Sequence, residues 1–131
     1  MFLKTDTFTY GDHSAVLSEL SALQRVDYLM FIQQRTAEYD ALPETLPEQE
    51  RQAAFMQMGV DINAWLVSRS LCESKREEDA RPLYDAVRVQ WSFDALGLGA
   101  DRVLTLSSMV VPVTDDTDDN PDQEALTPEK P

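Results

Sequence analysis

Leu20-Ser21-Ala22-Leu23-Gln24-Arg25-Val26-Asp27-Tyr28-Leu29-Met30-Phe31-Ile32 is the stretch on which the fold turns. Ser21 followed by Gln24 has capping-box spacing, in which a hydroxyl and an amide satisfy backbone donors left open at a helix start. The spacing predicts a helix that begins between Ser18 and Ser21 and runs to about Asp40, before Pro43 stops it. Leu23, Val26, Met30 and Ala37 mark one stripe along it, with Leu20 above. Leu29, Phe31 and Ile32 add apolar surface beyond that stripe. Tyr28 to Ile32 is therefore apolar around most of a turn, more than one packing face can bury. Two readings follow. One is a central helix wrapped by the others. The other is a partner-binding or self-association face made by Tyr28, Leu29, Phe31 and Ile32, extended by Met56 and Met58 of the next helix.

Upstream, residues Phe2 to Leu17 read as a β-hairpin. Phe2, Lys4, Asp6, Phe8 and Tyr10 fall on one side of a period-two pattern, and Leu3, Thr5, Thr7 and Thr9 on the other. Gly11-Asp12-His13 supplies the turn and Ala15-Val16-Leu17 a short return strand. Downstream, Thr45-Leu46-Pro47-Glu48 combines capping spacing with a proline in the first turn, so a second helix starts there. Phe55, Met58, Ile62, Trp65 and Leu66 recur along it at helical spacing, with Leu71 on an adjoining face. Ser74 to Arg81 reads as a charged connector. Pro82 opens a third, short helix through Leu83, Val87 and Trp91. Gly97-Leu98-Gly99 is expected to interrupt or loosen the start of a fourth, which Asp101 to Met109 completes with Val103, Leu106 and Val110 inward.

The resulting expectation is a mainly α fold: about four helices, a small N-terminal β-hairpin and a disordered acidic C-terminal tail. Residues 1–112 form the helical domain and 113–131 the tail or linker. Seven acids (Asp115, Asp116, Asp118, Asp119, Asp122, Glu124, Glu129) oppose the single Lys130 there, with three prolines and few apolar side chains. Such a segment cannot offset its ordering entropy by burial.

The 131 residues suit one domain, and 43% apolar content supplies a core. A net charge of −13 argues against binding nucleic-acid phosphates or anionic membranes. One cysteine, Cys72, excludes an internal disulfide framework and suits a reducing cytosol. With a single histidine, little remains for a zinc site or a His-based catalytic group. No secretory signal and no run of roughly 20 apolar residues is visible, so a soluble cytoplasmic protein is expected.

The motifs that remain are weak. Gly97-Leu98-Gly99-Ala100-Asp101-Arg102 begins like a dinucleotide fingerprint but ends in arginine, with no clear strand before it. Asp116, Asp118 and Asn120 have calcium-loop spacing, but Pro121 and Thr127 stand where glycine and glutamate belong. His13 reads as a surface residue in a turn, and Cys72 as a structural thiol near Lys75 and Arg76. Glu48, Glu50 and the Glu73-to-Asp79 cluster read as solvated helix ends. No cofactor, no metal and no enzymatic activity are expected.

Met1-Phe2-Leu3-Lys4-Thr5 and Leu17-Ser18-Glu19-Leu20-Ser21-Ala22-Leu23-Gln24-Arg25 closely resemble the start of the tail assembly protein G family of lambda-like phages. Weaker similarity returns around Trp91, at Asp94-Ala95-Leu96 and from Val103 to Met109, while residues Ala41 to Arg81 depart from the family pattern. The resemblance implies a non-enzymatic tail assembly chaperone, a minor tail protein by its family label, that coats the tape measure protein while a long non-contractile tail is built. It also implies a longer ribosomal-frameshift product whose added part recruits the major tail protein. The location would be the host cytoplasm, with neither form kept in the mature virion. A self-oligomer is compatible with the same face. The charge alone motivates a different class, an acidic DNA-mimic inhibitor of a nucleic-acid-binding protein, although nearly half of that charge sits in the tail.

Overall fold

A computed structural model describes residues 2–75 and 79–109 of the chain. It opens with a hairpin of β1 (Thr5–Tyr10) and β2 (His13–Ser18), paired antiparallel with Phe8 opposite Ala15 and Tyr10 opposite His13. Gly11, with φ 60°, takes the first central position of the two-residue turn, where a side chain would be strained. Phe8 and Leu17 are buried on the hairpin face that meets the helices. The Thr5, Thr7 and Thr9 side faces water.

Four helices follow among the described residues: α1 (Ala22–Asp40), α2 (Glu48–Lys75), α3 (Arg81–Gln90) and α4 (Phe93–Leu106). The capping box is formed as the spacing predicts, with the Gln24 backbone N–H donating to Ser21 Oγ at 3.2 Å and the Ser21 backbone N–H donating to Gln24 Oε1 at 2.9 Å. The mainly α architecture with an N-terminal hairpin is thus the one expected. The acidic tail, with the Asp116, Asp118 and Asn120 spacing and Val110, lies outside the described residues.

The second half of α2 is the axis of the molecule. Ala64, Trp65, Leu66, Val67, Ser68, Ser70, Leu71 and Cys72 are all buried, and α1, α3, α4 and β2 pack around them. Before Asp61 no residue of α2 is buried. The interior is therefore closed over one half of the long helix and leaves the other half beside the end of α1, where Tyr39 meets Phe55 edge-on at 5.6 Å.

Bonds at three serines bolt the hairpin exit to this axis and to the end of α4. Ser18 N–H donates to Ser70 Oγ at 2.6 Å, and Ser70 Oγ–H donates back to the Ser18 carbonyl at 2.8 Å. Two residues on, Leu20 N–H donates to Ser107 Oγ at 2.9 Å. All three serines are buried. Between Ser18 and Leu20, the Glu19 N–H still donates to the Lys4 carbonyl across the hairpin. Ser18 and Leu20 themselves turn to the helices, where the Ser70 and Ser107 hydroxyls satisfy backbone groups that water does not reach.

Two expectations need correction. Gly97-Leu98-Gly99 does not interrupt α4, which runs unbroken from Phe93, with Ser92 Oγ accepting from the Ala95 N–H at 3.0 Å. Tertiary packing overrides the propensity cost of the glycines, because Ala95, Leu96, Gly99, Ala100 and Val103 form one buried face. The connector is also shorter than read, since α2 continues through Lys75 and α3 begins at Arg81. The helix ends with Ser108 in the left-handed region at φ 57°, its N–H bonded to the Thr105 carbonyl and the Met109 N–H to that of Leu104. That is a Schellman ending in which serine takes the place glycine usually holds.

The two α4 glycines differ. A Cβ on Gly97 would meet nothing within 4 Å, whereas one on Gly99 would lie 2.9 Å from the Trp91 ring and 3.4 Å from Val67. Trp91 itself stacks on Phe8 at 5.8 Å, so α4 approaches the hairpin and α2 through the missing side chain of Gly99. Gly97→Ala is expected to raise stability by about 0.5–1 kcal/mol through helix propensity. Gly99→Val is expected to lower it by about 1–2 kcal/mol through overpacking. Thermal denaturation of the two variants side by side checks the pair; equal shifts would contradict this packing.

Candidate interaction face

Helix α1 turns its packing face the other way from the stripe read in the sequence. Tyr28 is buried with its ring 5.7 Å from Trp65, and Phe31 stacks on Trp65 at 5.9 Å and meets Tyr84 edge-on at 6.4 Å. Ile32 packs against the same core. Polar residues complete this inward side. Gln24 donates to Glu73 at 3.3 Å, and Arg35 reaches Asp61 at 2.8 Å. Leu23, Val26, Met30 and Ala37, which lie within about 60° of one another on the helix, consequently face water.

The six residues singled out from sequence are thus divided. Leu29 and Met56 are exposed, Tyr28 is buried, and Phe31, Ile32 and Met58 are half-buried. The exposed apolar set gains members that were read as core or as helix spacing. Leu23, Val26, Leu29 and Met30 on α1, with Phe55 and Met56 on α2, are each more than half exposed. A shallow hollow of about 550 Å³, lined by Asp27, Met30, Phe31, Gln33, Gln34 and Trp65, runs from the α1 stripe toward α2. The signal that finds the outward set is polar residues at helical spacing opposite it. Gln24 and Arg35 sit where an all-apolar core face would be expected, and each has a distant partner.

The electrostatics of the described residues add adhesion. Burial raises the pKa of the Tyr28 phenol, so it stays a neutral ring. Burial likewise raises that of Tyr84, helped by the charge of Asp61. The Arg69 guanidinium lies 4.6 Å over the Trp65 ring, and its burial lowers its pKa. Among the described residues no group of three or more His, Cys, Asp or Glu is placed to hold a metal ion. His13 is exposed at the hairpin turn, Cys72 is buried in α2, and Gly97-Leu98-Gly99 lies inside a helix preceded by another helix. Glu48 and Glu50 are exposed in the first turn of α2, as read. No helix among the described residues is long and apolar enough to cross a membrane. What the face offers chemically is a leucine, valine, methionine and phenylalanine surface of adaptable shape.

The family described as bacteriophage lambda tail assembly chaperone, protein G, matches residues 1–126. The tail assembly protein G of Escherichia phage N15 is 30% identical over 146 aligned positions, which cover 100% of this chain and 97% of that protein. That of Escherichia phage lambda is 26% identical over 117 positions, 83% of this chain and 79% of its own. No solved structure matches the chain.

Proposed function

The chain belongs to the bacteriophage lambda tail assembly chaperone protein G family, and from that premise we propose that it binds the tape measure protein through the outward face of α1. A role in phage tail assembly comes with the family; the partner and the face are the further step. The observation that carries them is the stripe of Leu23, Val26, Leu29 and Met30, left in water by a helix whose other side packs Tyr28, Phe31 and Ile32 against the core. An amphipathic segment of a long helical partner laid along that stripe would cover apolar surface on both chains, as in helix-in-groove recognition. The acidic body keeps such a coated assembly soluble and mutually repulsive.

On this reading the chaperone works in the host cytoplasm and is absent from the finished particle. A longer frameshift product carrying the same domain recruits the major tail protein. Residues 113–131 then serve as the tether between the two parts, extended by their own charge.

The test is co-expression with the tape measure protein of the same phage, followed by affinity capture through this chain. Wild type is expected to recover soluble tape measure protein. The Leu29→Asp, Met30→Asp double variant is expected to lose it while unfolding within about 1 kcal/mol of wild type, because both side chains are more than half exposed. Phe31→Asp is the contrast, since it unfolds the core around Trp65. Undiminished capture by the double variant would overturn the assignment of the face. Failure of the wild-type chain and of the longer product alike would overturn the partner.

A further inference from the structure

A second surface lies on the far side of α2. Asn63 and Trp65 are two residues apart and so point about 200° apart around the helix. The hollow beside Trp65 borders the α1 stripe, whereas Asn63 lies in a different groove of about 440 Å³ between the hairpin tip and α4. Tyr10, Phe93, Leu98 and the bare backbone of Gly97 form its apolar floor, with Asp94 and Asp101 beside them. These α4 positions form one face of the helix, opposite the buried Ala95, Leu96, Gly99, Ala100 and Val103. Phe93 and Leu98 are each more than half exposed.

No side-chain cation among the described residues offsets the charge at this groove, and only Asp94 gains from the start of α4. Neither Asp94 nor Asp101 takes part in an ion pair among the described residues. The neighbouring cation, Arg102, is turned away to Asp6 at 2.7 Å and the Thr7 carbonyl at 3.3 Å. An apolar floor with an acidic rim is complementary to an apolar anchor with cations on either side of it. The −13 charge of the chain disfavours a second copy of itself as the occupant, and it disfavours nucleic acid.

We propose that the groove formed by Tyr10, Asn63, Phe93, Gly97 and Leu98, rimmed by Asp94 and Asp101, docks a segment of a separate protein that carries an apolar anchor flanked by lysines or arginines. The domain is then two-sided. One partner lies along α1, and the second is held across α2 by chemistry of the opposite kind, in which charge selects and a single apolar side chain anchors.

The experiment is selection of a displayed random-peptide library on the full chain, with the Gly97→Arg chain as the counter-target. A side chain at Gly97 enters open space and replaces a helical glycine, so this variant stays folded while it fills the groove and reverses its charge. A thermal melt checks the folding. Enriched peptides are expected to carry leucine, phenylalanine or tryptophan between basic residues. A synthetic copy of the best one is expected to lose about tenfold or more in affinity on Gly97→Arg, and several-fold on Asp94→Asn, Asp101→Asn or in high salt. Acidic or uncharged consensus peptides, equal binding to Gly97→Arg, or no enrichment would each overturn the proposal. Leu29→Asp, Met30→Asp is expected to leave this binding unchanged, so the groove and the α1 face fail or succeed separately.

Discussion

Ser70→Ala is expected to destabilise the domain by about 2–4 kcal/mol, a large effect for the removal of one hydroxyl. The size follows from what the hydroxyl serves. Ser70 is fully buried, and its oxygen both accepts from the Ser18 N–H and donates to the Ser18 carbonyl. Alanine would strand a donor and an acceptor together in an interior with Ser18 only 1% exposed. Each orphaned group costs about 1–3 kcal/mol, and alanine's small gain in helix propensity does not offset it. Ser107→Ala strands only the Leu20 N–H and should cost about half as much. Urea unfolding measures both as shifts in midpoint at constant slope. A Ser70→Ala loss below about 0.5 kcal/mol would mean that the hairpin exit is free to reach water, contrary to the packing described.

Asp61→Ala is the second large loss, about 2–3 kcal/mol, and it acts on the helices where Ser70 acts on the hairpin. The Asp61 carboxylate is 10% exposed and accepts from Arg35 of α1 at 2.8 Å, Arg88 of α3 at 3.1 Å and Gln57 of its own helix at 2.9 Å. Burial by itself would lower the pKa of both guanidiniums, yet their hydrogen bonds, with Asp61 contributing to each, outweigh it and leave both raised. Raised cation values stabilise the fold below the unfolded arginine pKa and fade only as pH climbs through the folded one. The arginine side of the network therefore holds across the whole neutral range. Without Asp61 the two cations keep Glu38 and Asp85 as their ion-pair partners among the described residues, and Arg88 keeps the Tyr84 ring. Their partial exposure lets them turn to water, which is why the estimate stays below that for a fully buried pair. A double-mutant cycle of Asp61→Ala with Arg35→Met isolates the coupling, expected at about 1–2 kcal/mol. A coupling near zero would show that the pair sits together without holding α1 in place.

The features legible in the sequence were those decided by neighbours along the chain. The Ser21–Gln24 box, the Pro47 start, the Gly11 turn and the end of α1 near Asp40 each depend on a handful of adjacent residues, and each is where the pattern puts it. The inward face of α1 was not legible. Gln24 and Arg35 belong to it because Glu73 and Asp61 wait for them 49 and 26 residues away. A reading by hydrophobic stripe prefers Leu23, Val26 and Met30, and so it assigns the exposed side to the core. The same reasoning separates the candidate residues. Leu29 and Met56 stand on the surface, while Tyr28 and Phe31 serve Trp65. The serines at 18, 70 and 107 gave no signal either, since a small polar residue at a buried helical position is meaningful only beside its acceptor or donor.

The bond from Leu20 to Ser107 also has a consequence in time. Its two ends are 87 residues apart, so the Leu20 N–H at the exit of the hairpin has no partner until nearly the whole described chain has been made, long after Ser70 has become available to Ser18. At about 5–20 residues per second, the interval between synthesis of the two is roughly 4–17 s. During that interval the outward leucines and methionine of α1 emerge before the body that positions them. Closure of the hairpin exit is therefore a late step of translation, completed only when the end of α4 brings Ser107 to Leu20.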